Sequence, residues 1–389
     1  MLFTRRNLLA ASATLPFARA AFAADEPVRI GVVAPFSGAF ASYGKQFKEA
    51  LDVSVALYGD TVAGRKVEFV LRDHEGPNAQ AARAVAQELI VKDKVQYLSG
   101  FVFTPDALSL APLLTESKVP CVIFNAATSG ITEKSDFYVR TSFTLAQVTV
   151  PAAKYALERG FKRVATIVTD YGPGIDGETA FKKAFEGGGG TVPESIRMPL
   201  KTTDYGPFAQ RIKQLAPEAI YVFLPVGPPS FSFVKAFVDN GLAAAGIKFL
   251  GTGETQETDL QAYGDAALGL ETAYHYSAAH PSPTNKVFTD QLAKLYPASV
   301  ASFASVGAFD GLYAIRKMIE ATNGQPDGAK AVDAVRGLAW ESPRGPVKLD
   351  PKSRDIIQNV YIRKVEKGAD GKLVNAEFKT YEAVAPSPL

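Results

Sequence analysis

Apolar runs of strand length alternate with segments of helical period along almost the whole chain, and the first such pair organises the rest. Ile30 to Ala34 is a continuous apolar run that breaks at Pro35, a loop of small residues follows (Ser37, Gly38, Ala39, Ala41, Ser42, Tyr43, Gly44), and helix-spaced positions begin at Lys45. Strand, loop and helix in that order form the repeating unit of an open parallel sheet. In such sheets ligands sit beyond the carboxyl ends of the strands, where loops of this kind meet helix N-termini.

The unit recurs. Lys66 to Gly76 is a strand ending in polar residues, and Asn78 opens a helix in which Ala82, Val85, Ala86, Leu89 and Ile90 share a face. Val95 to Phe101 is a strand, after which Thr104, Pro105 and Asp106 begin a helix with a capping hydroxyl and Pro in its first turn. Val119 to Gly130 is a further strand with its loop. Beyond Tyr138 to Val150 the alternation starts afresh: strands at Lys162 to Gly174, Ala219 to Pro225, Ile247 to Glu254 and Leu270 to Ala278, with helices at 176–186, 208–215 and 230–240. Helices at 284–295, 302–322 and 328–337 follow, and two strand-like runs about Gly368 to Gly371 predict a terminal antiparallel hairpin. The fold class is α/β, with two lobes meeting near residue 144. The strand at 270–278 and the Pro/Gly-rich segment Ser342 to Asp355 are the other places where the chain can pass between them.

The length of 389 residues agrees with two domains of roughly 150 to 200 residues each. The first 23 residues stand apart: Arg5 and Arg6 precede an uncharged segment, and Ala21-Phe22-Ala23 is a small-x-small cleavage site. This predicts a signal peptide cleaved after Ala23. Thr4 to Leu9 is similar to a twin-arginine export signal, although an ordinary secretory signal with two arginines fits as well. Both end outside the cytoplasm. Cleavage would remove three arginines and no acidic residue, moving the formal charge from +2 to −1, so no basic tract supports nucleic-acid binding. Cys121, the only cysteine, is expected to be a buried small apolar residue.

Catalytic arrangements are missing. The 31–44 stretch has no GxGxxG, Gly187 to Gly190 is not followed by the Lys-Ser/Thr of a phosphate loop, and there is no GxSxG. His74, His275 and His280 stand in unrelated contexts and read as loop or surface residues. No enzyme activity and no cofactor is expected. Small-residue loops on two lobes point to binding.

IGVVAPFSGAFASYG, YLSGFVFTPD, VIFNAATS, YVRTSF and TDYGPG, in this order, resemble the branched-chain amino acid binding proteins, the solute-binding components of ABC importers of hydrophobic amino acids and amides. The resemblance spans the chain after the signal. It implies the type I periplasmic binding fold, two Rossmann-like lobes joined by three crossovers that close on a ligand. Lobe boundaries follow as 24–143 plus 273–348 and 144–272 plus 349–389. It implies a periplasmic monomer that takes a small carboxylate and delivers it to a membrane permease, without nucleic acid. Residue by residue, Tyr43 matches the aromatic covering the ligand, Thr104 a hydroxyl contact, and Ala126 and Thr128, with Asn125 and Ala127 beside them, the carboxylate grip. Tyr171 matches a second-lobe tyrosine. Glu254 lies at or beside the acidic position that pairs with an amino group, or is a solvated loop carboxylate. Where amino acid binders carry tyrosines, this chain has Leu224 to Pro229, including Pro225. Phe101, Phe103 and Phe223 stand in or beside the cleft loops, with core packing as their alternative. An aromatic or hydrophobic acid is the ligand this departure favours, and a branched-chain amino acid is the alternative. A sensory protein serving a receptor fits the same sequence, and an exported α/β enzyme is the third class, disfavoured by the missing catalytic set.

Overall fold

The computed structural model describes residues 26–387; the signal segment and its cleavage site lie outside them. Two sheets carry the two lobes. The first has six strands in the order Thr61–Val62, Arg65–Asp73, Val28–Ala34, Tyr97–Gly100, Cys121–Ile123, Tyr138–Arg140, parallel except for the short Thr61–Val62 edge. The second runs Ala339–Ser342, Gly345–Leu349, Ile356–Lys367, Glu271–Tyr274, Lys248–Gly251, Ala219–Phe223, Val164–Thr169, Ser195–Met198, with Leu373–Val384 paired to Ile356–Lys367. Its interior is parallel from Glu271–Tyr274 to Ser195–Met198. The terminal hairpin about 368–371 is antiparallel and continues the sheet.

The chain changes lobe three times, near 141–144, after Tyr274, and before Ala339. The helices Pro283–Leu295 and Phe303–Thr322 return to pack on Ala41–Tyr58 of the first lobe. The strands Ala339–Ser342 and Gly345–Leu349 already belong to the second sheet, so the boundary expected at 348 is corrected to a point before 339. Pro343, Gly345 and Pro346 disguised this hairpin as a linker. Prolines fit there because only the edge pair Ala339–Ser342 lies beyond.

Local chemistry sets the element ends. Asn78, Thr144, Ser282 and Ser302 cap their helices by accepting the amides of Ala81, Gln147, Asn285 and Ser305. Thr144 thereby starts the helix Leu145–Glu158 directly at the first passage between lobes. Buried arginines tie the passages together. Arg344, 1 % exposed, donates to Asp310, Gln358 and the carbonyls of Thr141 and Ser142, and Arg140 Nε bonds Asp355 Oδ1 at 2.7 Å. Buried charge needs such partners, and here they come from both lobes. Among the described residues no helix is long and apolar enough to cross a membrane.

Candidate functional site

The loops at the carboxyl ends of both sheets face each other across a narrow cavity. From the first lobe come Tyr43, Val102, Phe103, Thr104, Asn125, Ala127 and Phe303. The second contributes Tyr171, Pro173, Phe223 to Val226, Thr252, Gly253 and Tyr274, and Phe143 lies at the first passage. Among these lining residues none is Asp, Glu, Lys, Arg or His. A cleft at this position, aromatic-walled with a few polar groups, suits one small organic molecule.

Each wall is built by its backbone. The strand Tyr97–Gly100 ends at Gly100, whose φ of +103° and close approach to the Val33 carbonyl, 2.3 Å from an added Cβ, only glycine tolerates. Phe101 follows with φ +60° and donates its amide to Val33 O at 2.8 Å. That left-handed step turns the Phe101 ring away from the cleft into the core with Leu110, Leu114, Cys121 and Ile123. Phe101 is therefore corrected to a core residue, whereas Phe103 lines the cavity against Phe40 and Tyr43.

In the loop expected to grip a carboxylate, Ala126 is fully used. Its side chain joins the same core, its amide donates to Phe101 O at 3.0 Å, and its carbonyl accepts from Arg140 at 2.9 Å. Its neighbour Ala127, not Ala126, lines the cavity. Thr104 and Thr128 share a hydrogen bond at 2.8 Å between their hydroxyls. Thr104 does not cap its helix as expected; Phe103 occupies the cap position without a side-chain bond. Both threonines meet Gly172 of the other lobe, where an added Cβ would lie 3.0 Å from Thr128 Oγ1 and 3.3 Å from Thr104 Cγ2. The N-terminus of the helix Gly172–Gly187 thus points at the same spot. Arg140, overlooked in the sequence reading, holds this loop from beneath through the carbonyls of Ala126 and Thr128. Asn125 donates to Val102 O at 2.9 Å, leaving its buried Oδ1 without a partner in the protein.

On the second lobe, Tyr171 stacks on Phe223 with ring centres 6.2 Å apart. Glu254 is fully buried yet does not line the cavity. Its carboxylate accepts the amides of Leu224 at 2.9 Å and Thr252 at 2.5 Å, tying the two loops together behind the cavity wall. Burial raises its pKa to about 7, partly offset by those amides. The solvated alternative for Glu254 is thus corrected, because both oxygens are held inside. Pro225 lines the wall between Phe223 and Val226.

Phe143, Thr252, Gly253, Tyr274 and Phe303 also line the cavity and were not singled out from the sequence. Tyr274 ends a strand, a position that the rule for parallel sheets favours; Phe303 arrives on a helix from the third chain segment and gave no such signal. His74 and His275 are buried, not at the surface. Burial together with Arg344 and Arg363 holds His275 well below the usual histidine range, and its ring stacks on Phe143 at 4.8 Å. Neither His275 nor Tyr276 lines the cavity; the Tyr276 hydroxyl bonds Asn285. Among the described residues no cluster suits a metal ion.

The lobes touch across the cleft. Ser129 donates both its amide and its hydroxyl to Asp176 Oδ2, each at 2.9 Å. The Tyr43 hydroxyl lies against the Val226 amide.

A family model described as periplasmic binding protein matches residues 27–372. The Brucella abortus strain 2308 protein named Leu/Ile/Val-binding protein homolog 6 is 50% identical, covering 96% of this chain and 97% of its own length. The crystal structure of an ABC-transporter solute binding protein from Rhodopseudomonas palustris HaA2 in complex with p-hydroxybenzoic acid is 53% identical with a TM-score of 0.91, covering 93% of this chain and 98% of that one. A second such protein, from Rhodopseudomonas palustris BisB5 in complex with 3,4-dihydroxybenzoic acid, is 44% identical with a TM-score of 0.89, covering 92% and 98%.

Proposed function

Because the chain belongs to the periplasmic binding protein family, we propose that it captures a small aromatic carboxylate between its lobes and delivers it to the membrane permease of an ABC importer. The observation that carries the ligand class is the charge-free aromatic lining of the cavity. An amino acid brings an ammonium group, and a buried ammonium needs a carboxylate partner. Glu254, the acidic residue expected at that position, does not line the cavity, and its oxygens are held by the amides of Leu224 and Thr252 behind the wall. An aromatic acid needs only a grip for its carboxylate and a flat apolar slot.

The carboxylate grip comprises Ala127, Thr104 and Thr128 on one lobe and the first turn of Gly172–Gly187 on the other. Peptide dipoles at a helix N-terminus favour an anion by about 0.3 to 1 kcal/mol, and more when it is partly buried. Tyr43, Phe103, Phe143, Tyr171 and Phe223 bracket the ring. A ligand held by both lobes favours the closed form, and the permease receives that form. The benzoates bound by the two Rhodopseudomonas palustris relatives support the same ligand class. Residues 1–23 serve as the export signal, placing a monomer in the periplasm, and the chemistry is capture without turnover.

A branched-chain amino acid is the second reading, favoured by the name of the Brucella relative. A thermal-shift panel of benzoate, hydroxybenzoates, leucine, isoleucine and valine separates the two. At about 100 times Kd a ligand adds about 2.7 kcal/mol of stability. Shifts confined to the aromatic acids support the proposal, and shifts confined to the amino acids reject it.

A further inference from the structure

Tyr274 is a tightly framed polar group on the cavity wall. Its ring meets Phe143 at 5.2 Å, Phe303 at 5.1 Å and His275 at 4.5 Å, and the Arg363 guanidinium lies 5.1 Å from its centre. Arg363 is itself fixed by Thr272 Oγ1 and by the carbonyls of Thr252 and Tyr276. The ring is thus immobilised on several sides, but among the described residues its hydroxyl has no hydrogen-bond partner. A phenol that opens on the cavity can both donate to and accept from a ligand. The neighbouring Thr252 hydroxyl is directed to Glu254 and gives it no partner.

Gly253 explains why the hydroxyl stays open to the cavity. Its backbone does not adopt positive φ, so conformation does not demand glycine there. Space does: an added Cβ would lie 3.2 Å from both Cζ and Oη of Tyr274 and 3.1 Å from Val226 Cγ2. Any side chain at 253 would press on the phenol from the wall.

We propose that Tyr274 hydrogen-bonds a ring hydroxyl of the ligand, with Gly253 and Arg363 as positioning residues, so that the protein selects hydroxylated benzoates over benzoate itself. The inference rests on the aromatic-carboxylate reading above. A ligand hydroxyl matches a phenol that donates and accepts, whereas a carboxylate only accepts and has its own donors in the Ala127 to Thr128 loop of the other lobe. The positive charge over the Tyr274 ring face strengthens the phenol as a donor toward the ligand oxygen.

Calorimetric titration of wild type, Tyr274→Phe and Gly253→Ala with benzoate, 3-hydroxybenzoate and 4-hydroxybenzoate tests it. Wild type should prefer one hydroxybenzoate over benzoate by on the order of tenfold, the worth of one net hydrogen bond. Tyr274→Phe keeps the ring and should abolish most of that preference, the larger loss of affinity falling on the preferred hydroxybenzoate. Gly253→Ala, which displaces the phenol, should narrow the same ratio. An unchanged ratio in Tyr274→Phe, or an equal loss for all three ligands, overturns the assignment while leaving the aromatic reading in place. A wild type that binds benzoate as tightly as both hydroxybenzoates also overturns it. Binding of none of the three removes the aromatic reading itself.

Discussion

Ser129→Ala should weaken ligand binding by about tenfold without lowering the stability of either lobe. The hydroxyl of Ser129, on the first lobe, donates to Asp176 Oδ2 on the second at 2.9 Å, and the Ser129 amide donates to the same oxygen at 2.9 Å. Alanine removes only the first bond. Hydrogen bonds to a charged group contribute about 1.5 to 3 kcal/mol net, and a half-buried pair belongs at the lower end, so about 1.5 kcal/mol leaves the closed state. In the open state water serves both groups, so the loss falls on closure and passes into Kd at roughly a factor of ten per 1.4 kcal/mol. Asp176→Ala removes both bonds but also a contact with the Ala146 amide inside the second lobe, which makes Ser129 the cleaner probe. Calorimetry reads the affinity, and small-angle scattering reads the closed fraction with ligand present. In an Asp176→Ala background, Ser129→Ala should have no further effect. Unchanged affinity for Ser129→Ala, or fully additive losses in the double variant, would refute the cross-cleft tie.

Thr128→Ala removes the partner of the Thr104 hydroxyl beside the carboxylate grip and should weaken aromatic acids by about fivefold to tenfold in calorimetry, with thermal stability of the unliganded protein nearly unchanged. Glu254 has a folded pKa of about 7 against an ordinary 4.5, so its stabilising protonated form is fully present below about pH 4.5 and is lost as pH rises through about 7, a change of about 3 kcal/mol. Glu254→Gln lacks this slope, so its melting temperature relative to wild type should climb between pH 5 and 7.5; parallel curves would contradict the burial argument. Gly174→Ala would set a Cβ 1.8 Å from the Thr169 carbonyl at the start of the helix that faces the ligand. It should cost about 3 kcal/mol or more in denaturant unfolding, since backbone must move to relieve the overlap.

The two-lobed α/β plan is legible because strand-length apolar runs and helix-spaced segments alternate so regularly, and most observed elements lie within a few residues of the predicted ones. The missed hairpin at 339–349 alternates buried and exposed positions, as in Gly345 to Leu349, but its prolines and glycine masked the period. The loops expected from strand ends place Tyr43, Phe103, Thr104, Asn125, Ala127, Tyr171 and Pro225 on the cavity wall. What sequence could not supply is orientation. A single left-handed residue at Phe101 decides which of two nearby phenylalanines reaches the cleft, and the amides that capture Glu254 come from loops 30 residues and two residues away. Phe303 joins the wall through tertiary packing alone.

The most direct test of the ligand class is calorimetric titration of the mature protein, unfolded and refolded to strip any co-purified ligand, with 4-hydroxybenzoate in the absence and presence of excess leucine. Saturable one-to-one binding that leucine leaves unchanged is the predicted result. No heat with 4-hydroxybenzoate, together with saturable binding of leucine, would contradict it and return Glu254 to the role of ammonium partner.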